Sequence, residues 1–364
     1  MTFLRSPQGT IHSPLYSTTP NMSPGRAVAT IIVLIFFIAV LHNNGEQQSF
    51  IPGFPLPQRA PGRRFAGLKE RMALSENAWQ RSVQLRGRMA DAHPSNPQIP
   101  LFPAQSLSAF GKYPYTLWDF FPPTWTCPHD VQRVGRLGDG GKWVCGMSVY
   151  ESIPVPPSWA GKGVPTDGQD GVVIYSFGIN GESSFEAEML ERIPSARIWG
   201  YDFSVNAWGK QIASTYESRT FFKKVGIGKT DEPAKSPPFY TLQTLMAQNN
   251  HTYMDILKID VEGSEYISFD SVMDFFTSAW RGTGEAVLPI GQIMIEIHVG
   301  DDQKGIDFKR FRTWWERLES MGMRPTWMEV NLMAMTIPDH KTDPRCTEYV
   351  LVNAHDANSV LWQE

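Results

Sequence analysis

A mostly parallel α/β sheet with helices on both faces is the fold predicted for the 364-residue chain, and three features predict it. From residue 171 onward, short apolar runs alternate with stretches of helical periodicity, the pattern of strands joined by crossover helices. The first run, VVIYSF over 172–177, is continuously apolar and bounded by Gly, as a central strand covered on both faces requires. Two later runs, DILKID over 255–260 and QIMIEIH over 292–298, carry acids toward their carboxyl ends, the edge at which open α/β sheets take ligands.

Composition agrees with a globular chain. At 41% hydrophobic and 19% charged, the sequence can build a core, which excludes a disordered chain, a polytopic membrane protein and a disulfide-stapled miniprotein. The net charge of −4 conceals an asymmetry: residues 1–110 carry 10 basic against 4 acidic side chains, which leaves the rest at −10. An acidic main domain is a poor partner for a phosphate backbone, so no nucleic acid is expected.

Residues 1–26 form a tail without acids, followed by AVATIIVLIFFIAVL over 27–41, free of charge and helix breakers. That run is shorter than the roughly 20 residues of a spanning helix, but its uncharged flank to Asn44 brings it near the working range. The reading is a transmembrane signal anchor over 27–44; a cleaved signal peptide is the rival, disfavoured by the long preceding segment. Arg5 and Arg26 precede the run and the next basic residue is Arg59, so the N-terminus stays cytoplasmic and the rest is luminal. The expectation is a single-pass type II protein of the endoplasmic reticulum or Golgi.

Residues 45–109, rich in Pro, Gly, Gln and Arg, read as a stem. Leu68, Met72, Trp79 and Val83 recur at helical spacing, predicting a helix over 68–90 whose arginines face solvent or lie near lipid headgroups. Residues 110–170 precede the sheet as a cap. Within it Cys127 and Cys145 flank the turn-rich VGRLGDGGKWV, a hairpin that can bring them together; free thiols are the alternative. No Cys/His spacing suggests zinc, and no residue is assigned as a metal ligand. Asn250-His251-Thr252 is a glycosylation sequon, usable on the luminal side.

The sheet occupies 171–355, with a tail over 356–364. After VVIYSF comes Gly178-Ile179-Asn180-Gly181 and a helix over 183–192; RIWGY (197–201) follows and ends at Asp202. A Gly-bearing turn lets a ligand approach the backbone, and the helix start supplies free N–H groups. Asp202 lies about 24 residues beyond Gly178, near the spacing at which an acid meets ribose hydroxyls. With two glycines rather than three, the turn lacks the pyrophosphate fingerprint and favours a nucleoside such as S-adenosylmethionine. Further strands are predicted over 220–225, 324–329 and 348–352. An amphipathic helix over 308–322 turns Phe311, Trp314, Trp315 and Leu318 inward.

By alternation Lys258, Asp260 and Glu262 share one strand face, and Glu296 and His298 share another at the same edge. Asp260, Glu262, Glu296 and His298 are therefore the candidate catalytic set. For methyl transfer to oxygen the protein mainly aligns the reactants, and a base such as His298 removes the proton. Binding of a divalent cation, or simple ion pairing, are the alternatives for these groups.

SFGINGESSFE, GYDFS, GIGKTDE, DILKIDVEGSEY and QIMIEIH together resemble the Rossmann-like, seven-strand class I S-adenosylmethionine-dependent methyltransferases. Within them the chain is similar to the FkbM-like group and, more closely, to the methyltransferase-like protein twenty-four type, whose upstream CPHDVQRVGRLGDGGKWVCG it shares. The resemblance covers about residues 110–355 and implies cofactor contacts at Gly178, Ile179, Asn180, Gly181 and Asp202. It places Asp260 and Glu262 at the cofactor or acceptor edge, and Asp139 and Gly140 in a turn over the pocket. The implied cofactor is S-adenosylmethionine. The implied activity is O-methylation of a glycan, lipid or small secretory-pathway metabolite, and the lack of an Asn-Pro-Pro-Tyr motif argues against methylation of nucleic-acid amino groups. A catalytically inactive scaffold of the same fold is the alternative. A nicotinamide-dependent oxidoreductase is disfavoured by the missing fingerprint.

Overall fold

Two apolar faces on one set of strands give the architecture. The computed structural model describes residues 67–92, 115–159, 171–282, 284–299, 306–333 and 344–363, all within the compact unit 66–364. In chain order its elements are α1 (Leu68–Ala92), α2 (Tyr115–Phe120), β1 (Val131–Val134), β2 (Lys142–Cys145), α3 (Met147–Glu151), β3 (Val172–Phe177), α4 (Ser184–Arg192), β4 (Ala196–Tyr201) and β5 (Thr220–Lys223). Then follow β6 (Gly226–Ile227), β7 (Phe239–Tyr240), α5 (Leu242–Gln248), β8 (Met254–Ile259), α6 (Glu265–Ala279), β9 (Ile290–His298), α7 (Phe308–Ser320), β10 (Met323–Val330) and β11 (Cys346–Asn353). The apolar run over 27–44 lies outside the described residues. Among the described residues no helix is long and apolar enough to cross a membrane.

Seven strands form the main sheet in the order β10-β11-β9-β8-β3-β4-β5, with β11 antiparallel to both neighbours and the strands from β9 to β5 parallel. From β3 the chain winds outward through β4 to β5, then returns to β8 on the other side of β3. The order therefore reverses between β3 and β8, which opens a crevice beyond their carboxyl ends.

Alternation along the strands feeds two cores. Val173, Tyr175, Phe177, Leu257, Ile259 and Ile293 face α5, α6 and α7. Val172, Ile174, Ile198, Ile256 and Met294 face α3, α4 and the β1–β2 hairpin. On α7 the four predicted inward residues, Phe311, Trp314, Trp315 and Leu318, are buried. Its first turn is capped by Asp307, whose carboxylate accepts the N–H of Arg310 at 2.7 Å.

Two expectations need correction. The helix expected in the stem does not stand apart from the folded unit. Arg71, Arg81 and Arg88 are exposed, but Arg86 is buried and its guanidinium donates to Glu319 of α7 at 3.2 Å. Glu319 also accepts the indole N–H groups of Trp79 (3.0 Å) and Trp315 (2.8 Å), and Arg324 of β10 reaches back to Glu76 at 2.9 Å. A helix that supplies donors to a buried carboxylate is part of the core. The second correction concerns Glu262. Strand β8 stops at Ile259, and Glu262 adopts a left-handed conformation (φ 52°) in the turn before α6, so strand alternation does not set its direction.

The hairpin is present, with Val131 paired to Cys145 and Val134 to Lys142, and a disulfide joins Cys127 to Cys145. Gln292 of β9 pins it to the sheet: its Oε1 accepts the Cys145 N–H at 2.8 Å, and its Nε2 donates to the Cys145 carbonyl at 3.0 Å.

Candidate active site

One end of the crevice is built by the turn after β3. Gly178 (φ 78°), Asn180 (φ 44°) and Gly181 (φ 72°) all take the left-handed conformation that glycine adopts without penalty and Asn tolerates. At Gly178 a side chain is also sterically excluded, because a Cβ would run into the carbonyl of Asp260. Lys258 Nζ, buried, donates to the Gly178 carbonyl at 2.9 Å and stands 3.5 Å from the buried carboxylate of Glu186.

Asp202 holds this turn in place. Its Oδ2 accepts the N–H groups of Ile179 and Asn180, both at 2.8 Å, and its Oδ1 accepts the N–H (2.6 Å) and hydroxyl (2.7 Å) of Ser204. Burial pushes the carboxyl up, but the donors from Asn180, Ser204 and Val205 outweigh it and hold its pKa below the ordinary range. The five residues expected to contact the cofactor in the turn and at Asp202 are thus brought together at one point.

The second end lies one and two strands over, where Asp260, Glu296, His298 and two residues of β11 converge. Asp260 follows β8, its N–H donating to the Phe177 carbonyl at 3.2 Å. The β9–β11 register sets Cys346 opposite His298 and Glu348 opposite Glu296, so all four side chains stand on one face. Lys142, almost fully buried on β2, brings its ammonium to Asp260 at 3.1 Å and also to Glu348. Glu296 accepts from Asn331 Nδ2 at 2.9 Å. His298 Nδ1 pairs with the fully buried Glu265 at 3.1 Å, and its Nε2 stands 3.3 Å from Glu262.

The turn between β1 and β2 closes over both ends. A Cβ on Gly140 (φ 101°) would collide with the Glu182 carboxylate beyond the β3 turn, and Asp139 brings a carboxylate oxygen within 4.8 Å of those of Asp260 and Glu296.

Three carboxylates thus share one ammonium. Burial raises Asp260, but Lys142 and Lys258 pull it down to about 2. Burial, with the charges of Asp260 and Glu348, pushes Glu296 up to about 8. Glu348 is likewise raised by burial against the pull of Lys142, whose charge Asp260 also draws on. Burial opposes the charge on Lys142, yet Glu348, Asp260 and Glu296 outweigh it and hold its pKa above the ordinary lysine range. Asp260 therefore carries the charge, and Glu296 tends to hold a proton. Burial opposes the charge on His298 too, but its bonds to Cys346 and Glu265 raise it to about 12. As described, the ring donates its protons, the opposite of the state a general base needs.

Sequence reasoning brought forward Asp260, Glu262, Glu296 and His298 but not Lys142, Glu265, Glu348 or Cys346. Lys142 and Glu265 lie inside the motifs GDGGKWVCG and DVEGSEY, where a signal existed. Glu348 and Cys346 join the site only through strand register.

A family model described as "Methyltransferase domain" matches residues 73–338. No curated protein matches the chain. Among solved structures, the chain is similar to a Methanococcus jannaschii fibrillarin pre-rRNA processing protein (14% identity, TM-score 0.30, 63% of this chain and 100% of that one). It is also similar to an O-methyltransferase family 2 protein from Planctomyces limnophilus, in complex with apigenin (11% identity, TM-score 0.25, 57% of this chain and 56% of that one). These structural likenesses are distant, whereas the family match spans well over half of the sequence and runs from α1 through β10: the chain belongs to this family of methyltransferase domains.

Proposed function

We propose that the chain is an S-adenosylmethionine-dependent methyltransferase of the FkbM-like, methyltransferase-like twenty-four type, which O-methylates a glycan, lipid or small metabolite of the secretory pathway. One observation carries the cofactor half of this reading: the Asp202 carboxylate gathers the 178–181 turn at the point where the strand order reverses. The turn fits a nucleoside, because a Cβ on Gly181 would meet nothing within 4 Å, so ligand can lie against the backbone there. Both oxygens of Asp202 accept backbone N–H groups, and the Ser204 hydroxyl on Oδ1 is the one donor that can rotate away, so a ribose hydroxyl takes its place there. The cofactor supplies an electrophilic methyl group on a sulfonium centre.

The chain's own residues supply the rest. Lys258 steadies the turn, Lys142 fixes the Asp260 carboxylate, and Asp260, Glu262, Glu296 and His298 line the side from which an acceptor hydroxyl enters. Alignment of that hydroxyl with the methyl group is the main contribution asked of the site.

The luminal placement rests on three supports. The basic residues precede the 27–41 apolar run, a disulfide closes the hairpin, and Asn250 of the sequon is exposed in a turn after α5.

The test is transfer of isotope-labelled methyl from S-adenosylmethionine by the full chain to a microsomal extract, fractionated into glycan, lipid, small-molecule and protein pools. The expected result is label in one of the first three pools as an alkali-stable ether. Cofactor binding with no transfer to any pool would overturn the enzymatic reading and leave a scaffold of the same fold.

A further inference from the structure

We propose that Glu296, His298 and Cys346 form a site for one divalent ion of borderline softness, zinc foremost, at the acceptor end of the crevice. The site goes beyond the methyltransferase reading and stands without it. One donor atom from each of the three lies within 4.8 Å of the others. That closeness follows from the backbone: Cys346 is the cross-strand partner of His298, and Glu296 precedes His298 by two residues on the same face.

The donor set selects the ion. A thiol sulfur, an imidazole nitrogen and a carboxylate oxygen together suit zinc, whereas magnesium and calcium take oxygen. Two acid-richer groupings overlap this one, Asp260–Glu262–His298 and Asp139–Asp260–Glu296. Both depend on Asp260, which already has the Lys142 ammonium at 3.1 Å and so offers a second cation little.

Its ligands are also held from behind. Glu265, fully buried, takes both the backbone N–H of His298 (2.8 Å) and its Nδ1 (3.1 Å), which fixes the ring and leaves Nε2 to bind. A carboxylate behind a histidine is the usual support of a metal-bound imidazole. Asn331 holds one oxygen of Glu296 at 2.9 Å, and a hydrogen bond to Asp260, which an ion would displace, completes its setting. Glu262 stands 3.3 Å from Nε2 on a side chain that is 86% exposed, so it can swing aside or serve as a fourth ligand. Three protein ligands with one exchangeable position describe a catalytic rather than a structural zinc site. An acceptor hydroxyl taken into that position would lose its proton to solvent or to a neighbouring carboxylate more readily. Binding itself releases the Cys346 thiol proton, and any proton on Nε2, to solvent.

Cobalt(II) is the probe, added without reductant to the chelator-stripped full chain. With Cys127 and Cys145 in a disulfide, Cys346 is the free thiol. The expected result is one equivalent of cobalt bound, with a near-ultraviolet thiolate-to-cobalt band that zinc abolishes by displacement. Cys346→Ser should lose the band, and Glu265→Gln should keep it but weaken affinity about 10–100-fold. Circular dichroism confirms that each variant is folded. A folded chain that gives no band, a band that survives in Cys346→Ser, or cobalt binding lost in Asp139→Asn but kept in Cys346→Ser would each overturn the proposal. Since no cofactor is present, these outcomes do not depend on S-adenosylmethionine binding.

Discussion

The Asp202 carboxylate accepts the backbone N–H of Asn180 at 2.8 Å across 22 residues of chain. The end of β4 thereby sets the conformation of the turn after β3, in which Asn180 is a non-glycine residue held at φ 44°. A charged acceptor stabilises such a turn by more than a neutral one would, roughly 1.5–3 kcal/mol per bond. Asp202 thus shapes the pocket before it meets any ligand.

Two substitutions separate shaping from contact. Ser204→Ala removes the hydroxyl that occupies Asp202 Oδ1 and leaves the turn intact, so affinity for S-adenosylmethionine should be unchanged or rise a few-fold. Lys258→Met removes the support of the Gly178 carbonyl and leaves the buried Glu186 without its cation. Affinity should then fall about tenfold or more, from a cost of about 1–3 kcal/mol. Calorimetric titration of both variants checks the pair.

Helix α1 is expected to be indispensable to the folded unit. Glu319→Ala leaves the buried Arg86 only the more exposed Glu316 carboxylate, 3.6 Å away, and should cost about 3 kcal/mol, read by urea unfolding of the chain beginning at residue 66. A chain beginning at residue 105 loses the same contacts and should unfold at lower urea still.

The disulfide makes a stoichiometric prediction. Of the three cysteines, one should react with a thiol reagent in denaturant without reductant, and all three after reduction. The double substitution Cys127→Ser, Cys145→Ser should lower stability by about 2–4 kcal/mol. Because the hairpin carries Lys142 and Asp139 to the crevice, that variant should also bind cofactor less tightly.

Asp255, buried at the amino end of β8 and so at the opposite end of the strand from the crevice, gives a pH dependence. Burial raises its pKa from 3.8 to about 7; the Val173 N–H opposes this and Asp356 adds to it. The folded chain therefore keeps a proton that the unfolded chain gives up. The stabilisation is complete below about pH 4 and is lost as pH rises through about 7. In Asp255→Asn the decline in unfolding free energy between pH 4 and 7 should be shallower than in the parent.

Much of the fold was legible because buried strands leave unbroken apolar runs. VVIYSF is β3 as read, and the reading of QIMIEIH falls within β9 (Ile290–His298). The helix over Phe308–Ser320 follows from the spacing of Phe311, Trp314, Trp315 and Leu318. Half of the site was legible too, since acids at strand ends are local features. Long-range partners were not. Cys346 and Glu348 reach His298 and Glu296 through antiparallel register, which no local periodicity encodes. Arginines on an Arg-rich helix read as solvated, and only the approach of α7 shows that Arg86 faces a buried carboxylate. Glu262 does meet Asp260 and His298, but through the left-handed turn after β8 rather than through strand alternation, which ends at Ile259.

The most direct test of the central claim is calorimetric titration of S-adenosylmethionine into the full chain and into Asp202→Ala. The account expects saturable one-site binding by the parent and a loss of at least tenfold in the variant, with both chains folded by circular dichroism. No heat from a folded parent, or equal affinity in the variant, would contradict it.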